Sequence, residues 1–110
     1  MQISEKDANG VTILEVEGDI DLNSSPTMRE KFDELIKNNI SKIIINFQDV
    51  SYIDSSGLAT VIEMLQRLKK SQGQLRLSNL SEKLKNLFEI TKIDKLFQMY
   101  SSEEDALKDF

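Results

Sequence analysis

The chain contains no cysteine and no histidine. Lack of cysteine excludes a disulfide framework, and the two absences together exclude zinc sites built from the usual thiolate and imidazole ligands. Without histidine there is no general base for Ser-His-Asp or Cys-His catalysis, although a pair of carboxylates could still do acid–base work. Positive charge is also short: 14 basic residues stand against 19 acidic ones, for a net charge of −5. A nucleic-acid partner would want a basic stripe, and an anionic membrane surface would repel this balance. No apolar run is long enough to span a bilayer. The opening Met1-Gln2-Ile3-Ser4-Glu5 has neither the basic end nor the apolar stretch of a signal peptide. These absences fit a cytoplasmic protein with no membrane and no direct nucleic-acid partner.

What is present is ordinary globular composition, 39% hydrophobic and 30% charged over 110 residues. That length fits one domain, residues 1–110, with one modest core. Along the chain, 2–7 reads as a weak edge strand. Asn9-Gly10 supplies the positive φ of a tight hairpin, and 11–17 alternates as its second strand. An acidic loop, 18–23, follows. Ser25-Pro26 starts a helix, with serine as N-cap and proline at the first helical position, that runs to about Lys37; Met28, Phe32, Leu35 and Ile36 share one face. Residues 42–47, KIIINF, are apolar enough for a strand buried on both faces, which is usually a parallel one. A loop, 48–54, follows, with Val50, Tyr52 and Ile53 packing. A helix of about 56–71 carries the stripe Leu58, Val61, Ile62, Leu65 and Leu68. Then come a short strand at 74–78 and a helix of about 82–90 capped by Ser81. A last short strand falls at 96–99, and a capping box in Ser101-Ser102-Glu103-Glu104 opens a final helix to about Lys108. Buried strands alternating with amphipathic helices make an α/β domain with a mostly parallel sheet and right-handed crossovers.

The chemistry concentrates in Asp54-Ser55-Ser56-Gly57, just past the 42–47 strand and at the start of a helix. Open α/β sheets place ligand sites on that edge, and the free N–H groups of a first helical turn favour anions. Taken alone, the stretch reads as a helix cap, since aspartate and serine are the usual N-caps. No lysine follows the glycine, so it is not a nucleotide phosphate loop. Asp19 and Asp21 fall on the same sheet edge as Asp54. Hard cations take oxygen ligands, but a solvated loop whose carboxylates accept backbone N–H groups is the favoured reading, and no metal or cofactor is expected. Met64 flanks the apolar stripe, either as the edge of the core or as an adaptable contact at a binding surface.

In combination these stretches are more specific than any one of them. The sequence resembles the anti-sigma-factor antagonists, the small stand-alone proteins of the STAS domain family. The likeness rests on VEGDIDL at 16–22, KIIINFQDVSYIDSSGLATVI at 42–62, GQLRLSNLSEKLKNLFEITKIDKLF at 73–97 and the short final helix. The resemblance implies an N-terminal β-hairpin followed by a right-handed β-α superhelix with a mostly parallel sheet and about four helices. It implies a partner switch rather than an enzyme. The unphosphorylated protein binds an anti-sigma factor that is also a serine kinase and frees the sigma factor; phosphorylation ends the binding, and a serine phosphatase resets it. The implied acceptor is Ser55. Asp21 and Asp54 match acidic positions around it, and Asn46 matches a polar position near the strand end. Ser56, Gly57 and Met64 complete the expected partner- and kinase-binding set. Alanine stands at position 59, where many members carry glycine. The alternatives are a STAS interaction scaffold or a ligand-binding module, each without a phosphorylation switch.

Overall fold

Asn9 (φ +55°) and Gly10 (φ +82°) make the first chain reversal. Both central residues are left-handed, which matches the twist of the strands they join. In the computed structural model, which describes residues 1–110, this hairpin links β1 (Gln2–Ala8) to β2 (Val11–Ile20) in an antiparallel pair. The remaining elements are α1 (Ser25–Lys37), β3 (Lys42–Ile53), α2 (Ser55–Lys70), β4 (Gln74–Ser78), α3 (Glu82–Ile90), β5 (Gln98–Tyr100) and α4 (Glu103–Leu107), with a 3-10 turn at Asp94–Leu96. The five strands lie in the sheet in chain order, and every pairing after the hairpin is parallel. This is the order a β-α superhelix requires.

Both faces of the sheet are covered, which explains why β2 and β3 are apolar at successive positions. Leu14, Val16, Ile43, Ile45 and Phe47 pack with Met28, Phe32 and Leu35 of α1, Val61, Met64 and Leu68 of α2, and Leu84 and Phe88 of α3. Burying each such side chain contributes about 1.5–3 kcal/mol. On the opposite face Val11, Ile13 and Ile44 form a smaller cluster with Ala106 of α4.

Arg76 of β4 holds that second layer in place. It donates to Gln98 Oε1 (3.0 Å) and to the carbonyls of Ala106 (2.9 Å), Lys108 (2.8 Å) and Asp109 (3.2 Å). Its guanidinium also stacks over Tyr100 and Phe110. A planar five-donor group is suited to collecting the free carbonyls of a helix end.

Several boundaries differ from those expected. β2 runs on through the supposed acidic loop to Ile20, and β3 absorbs 48–53. Between them the register slips twice: Glu15 faces Asn46 but Glu17 faces Asp49, and Gly18 faces Val50 but Ile20 faces Ile53. Each slip places an extra residue in β3, a bulge that breaks the alternation and makes the stretch read as a loop. Asn46 Oδ1 accepts from Gln48 N at the first slip. Tyr52, expected to pack, is 49% exposed.

The cap of α1 is Ser24 rather than Ser25; Ser25 is buried and donates to the Asp21 carbonyl. The last strand starts at Gln98, because Leu96 belongs to the 3-10 turn. Ser102 does cap α4, accepting from Asp105 N. The returning carboxylate, however, is that of Asp105, which accepts from Ser101 Oγ.

Candidate functional site

Asp54 sits in extended backbone at the end of β3, one residue before α2. Its two carboxylate oxygens are separately engaged. Oδ1 accepts from Gly57 N at 2.8 Å and so caps the helix; Oδ2 accepts from Leu22 N at 3.1 Å, across 32 residues of chain. One side chain therefore fixes both the start of α2 and the loop that joins β2 to α1. The Asp54 backbone N–H adds a third tie by donating to the Ile20 carbonyl at 3.2 Å.

Asp21 organises the loop itself. Its Oδ1 accepts from Asn23 N and Ser24 N, both at 3.0 Å. Ser24 Oγ accepts from Asp21 N and donates to the Asp19 carbonyl. Asp21 and Asp54 are thus brought to one edge, as expected, each holding backbone N–H groups. Asp19, Asp21 and Asp54 do not converge as a ligand group for a metal ion.

Gly57 is needed where β2 and α2 meet. A Cβ at this position would overlap the Ile20 carbonyl oxygen and lie 2.7 Å from Ile53 Cγ1. Its part in the site is to permit this close approach, since the residue is buried.

Ser55 is the first residue of α2 and is exposed. At α3 and α4 a serine does the capping: Ser81 Oγ accepts from Leu84 N and Ser102 Oγ accepts from Asp105 N. At α2 the aspartate fills that role, so the Ser55 hydroxyl is not needed to satisfy the helix. Ser56, next to it, is half-buried, and its carbonyl accepts from Thr60 Oγ1.

Two expected site residues are placed elsewhere. Met64 is 1% exposed and packs within the main core. This corrects its assignment as a partner contact: the 57–64 face of α2 turns inward against the sheet, so its thioether meets core atoms, not solvent. Asn46 lies in the layer under α4, where its Nδ2 donates to Glu103 Oε2 at 2.6 Å. Glu103 also pairs with Lys6 at 2.9 Å. Burial works to raise the Glu103 pKa, but the Lys6 and Asn46 bonds outweigh it and hold the carboxyl below its ordinary 4.5. Lys6 is raised in turn, chiefly by its bond to Glu103.

Sequence patterning did not reveal the surface around Ser55. Beside it an open groove of about 610 Å³ runs between the tip of β3 and α3, lined by Tyr52, Ser55, Leu58, Lys83, Leu87 and Ile90 among others. Ile90 is 76% exposed, and Leu22, whose amide is held by Asp54, is 70% exposed. Tyr52 and Ile90 put exposed apolar side chains in the groove that Ser55 lines. Apolar side chains of this size gathered on a surface mark contact sites. The available signal was an apolar residue off any stripe: leucine in an acidic loop, isoleucine at a helix end.

Comparison with known proteins shows the family and the fold. The family model described as the STAS domain matches residues 2–106. The anti-sigma-B factor antagonist of Bacillus subtilis (strain 168) is 35% identical over 95 residues, 86% of this chain and 86% of that protein. A crystal structure of a Thermotoga maritima protein superposes with a TM-score of 0.92 at 23% identity, covering 97% of this chain and 92% of the other. The Bacillus cell fate determinant SpoIIAA in its phosphorylated form gives a TM-score of 0.75 at 23% identity, covering 96% of each chain.

Proposed function

The chain belongs to the STAS domain family, and from that premise we propose that it is an anti-sigma factor antagonist switched by phosphorylation of Ser55. The unphosphorylated form binds an anti-sigma factor that is also a serine kinase, and the sigma factor is released. The kinase transfers phosphate to Ser55, the complex separates, and a serine phosphatase restores the binding form. On this reading the chain is a cytoplasmic regulatory binding protein and not an enzyme. Its contact surface is formed by Ser55, Ser56 and the loop residues that Asp21 and Asp54 hold in place.

One observation carries the proposal. Asp54 caps α2, which leaves an exposed serine hydroxyl at the head of the helix with no structural duty. The serine can therefore be modified without cost to the fold.

The energetics support a switch without refolding. Phosphorylation adds roughly −1.5 to −2 charges. The N-terminus of α2 favours that charge by about 0.3–1 kcal/mol at an exposed site. The carboxylates of Asp54, Asp21 and Asp19 oppose it, and salt screens them. The internal sum is small. Across an interface fitted to a neutral hydroxyl, a desolvated dianion costs several kcal/mol, and each ~1.4 kcal/mol is tenfold in affinity.

The test begins in the host. Peptide mass spectrometry on protein from growing and from starved cells should find phosphate on Ser55 in one state only. In vitro, Ser55→Ala should hold the anti-sigma factor in the presence of ATP, and Ser55→Glu should bind it weakly. Equal affinities for the two variants would refute the electrostatic switch. The groove favours one competing reading, a module that binds a small ligand beside Ser55. Thermal stabilisation by such a ligand, in protein that never carries phosphate, would select it.

A further inference from the structure

Lys83 is a cation that α3 does not explain. It is the second residue of the helix, where the positive end of the macrodipole disfavours a cation. It enters no ion pair, whereas its neighbour Lys85 reaches Glu82. In a chain with five more acidic than basic residues, an unpaired lysine in a first helical turn is conspicuous. Its side chain lines the same groove as Ser55. Asp54 is the other charged residue of that lining, and both its oxygens are committed to backbone amides.

We propose that Lys83 receives the phosphate of Ser55 within the same molecule, and that the pair closes the groove between β3 and α3. This rests on the reading of Ser55 as the acceptor and supplies its regulation. The transfer is the kinase's: the Ser55 Oγ–P bond forms as the β–γ bridge of ATP breaks, ADP leaves, and the hydroxyl proton is released. The new phosphate then has carboxylates on one side, Asp54 with Asp21 and Asp19 in the loop tied to it, and one ammonium on the other. It moves toward the ammonium, where a charge-assisted hydrogen bond forms. Lysine suits the task because its flexible four-carbon stem can follow the phosphate. The pair lies over Leu58, Leu84 and Leu87, which also line the groove, and denies that apolar floor to a partner's side chain. Phosphorylation thus removes a docking groove as well as adding charge.

The experiment needs no kinase. Phosphoserine is placed at position 55 by genetic encoding, and its second ionisation, ordinarily near 6, is followed by phosphorus NMR. The proton affinity should be about 1.5- to 5-fold weaker with Lys83 than in Lys83→Gln, the range of an exposed ion pair. Lys83→Arg should behave as the parent. The methyl resonances of Leu84, Leu87 and Ile90 should shift on phosphorylation in the parent and stay in place in Lys83→Gln. Identical titrations in the two proteins, or methyl shifts that persist in Lys83→Gln, would overturn the proposal. Lys83 is exposed, so the variant folds. Because the phosphate is installed directly, a negative result is separable from the absence of a kinase partner.

Discussion

Asp54 makes the sharpest prediction, because its two oxygens do different jobs. Oδ1 caps α2 through Gly57 N and Oδ2 holds the loop through Leu22 N. Asp54→Ala loses both. An N-cap is worth about 0.5–2 kcal/mol, and a second, more exposed hydrogen bond adds about 0.5–1 kcal/mol. The expected loss is therefore about 1–3 kcal/mol. Asp54→Asn keeps one acceptor oxygen and replaces the other with an NH2 donor. Whichever way the amide turns, one backbone N–H faces a donor, so about 0.5–1.5 kcal/mol is lost and the cap or the loop tie goes, not both. Urea unfolding separates the two variants. With a slope of about 1–3 kcal/mol per molar urea, a loss of 1 kcal/mol moves the midpoint by roughly 0.3–1 M. Amide hydrogen exchange then reads the site: in Asp54→Asn exchange should quicken at Leu22 or at Gly57, and in Asp54→Ala at both. The kinase should phosphorylate Ser55 more slowly in Asp54→Asn, since the serine's surroundings loosen while the fold persists. Unchanged stability and unchanged exchange at both amides in Asp54→Asn would refute the divided role.

Other perturbations follow from the same contacts. Gly57→Ala should destabilise by about 1–3 kcal/mol in urea, because the Cβ meets rigid backbone of Ile20 and overpacking outweighs the gain in helix propensity; a stabilised variant would refute the close approach. Arg76→Met should cost about 2–3 kcal/mol and strip exchange protection from α4 first, by loss of charge-assisted bonds to its last carbonyls. Wild-type protection of α4 in that variant would show that Arg76 does not hold the helix. Glu103 has a folded-state pKa below 4.5, so its contribution is present above that value and is lost as pH falls through the folded pKa. Glu103→Gln should therefore flatten the acid limb of a stability–pH profile, and an unchanged limb would refute the Lys6–Glu103–Asn46 cluster.

Local signals and tertiary signals divide unevenly along the chain. The hairpin was legible because Asn9-Gly10 demands left-handed backbone. The caps at Ser81 and Ser102 were legible because the bond runs only three residues. The extension of β3 was not, since two bulges break the period on which strand reading depends. Met64 was misplaced because the stripe of Leu58, Val61, Ile62, Leu65 and Leu68 was too narrow: the helix packs under both the sheet and α1, and its buried arc widens to include Thr60 and Met64.

The sequence by itself determined the class of fold, the place of the serine at the head of a helix, and the family. Those rest on spacings of two, three and four residues and on one dense motif. The tertiary structure alone decided that Asp54 frees Ser55 by taking the cap, and that Leu22 is carried to the same edge. It also decided that Lys83 and Ser55 line one groove. The tie to Leu22 and the groove shared with Lys83 join residues 32 and 28 positions apart, and contacts at that range are set by which strands lie side by side, not by any local period.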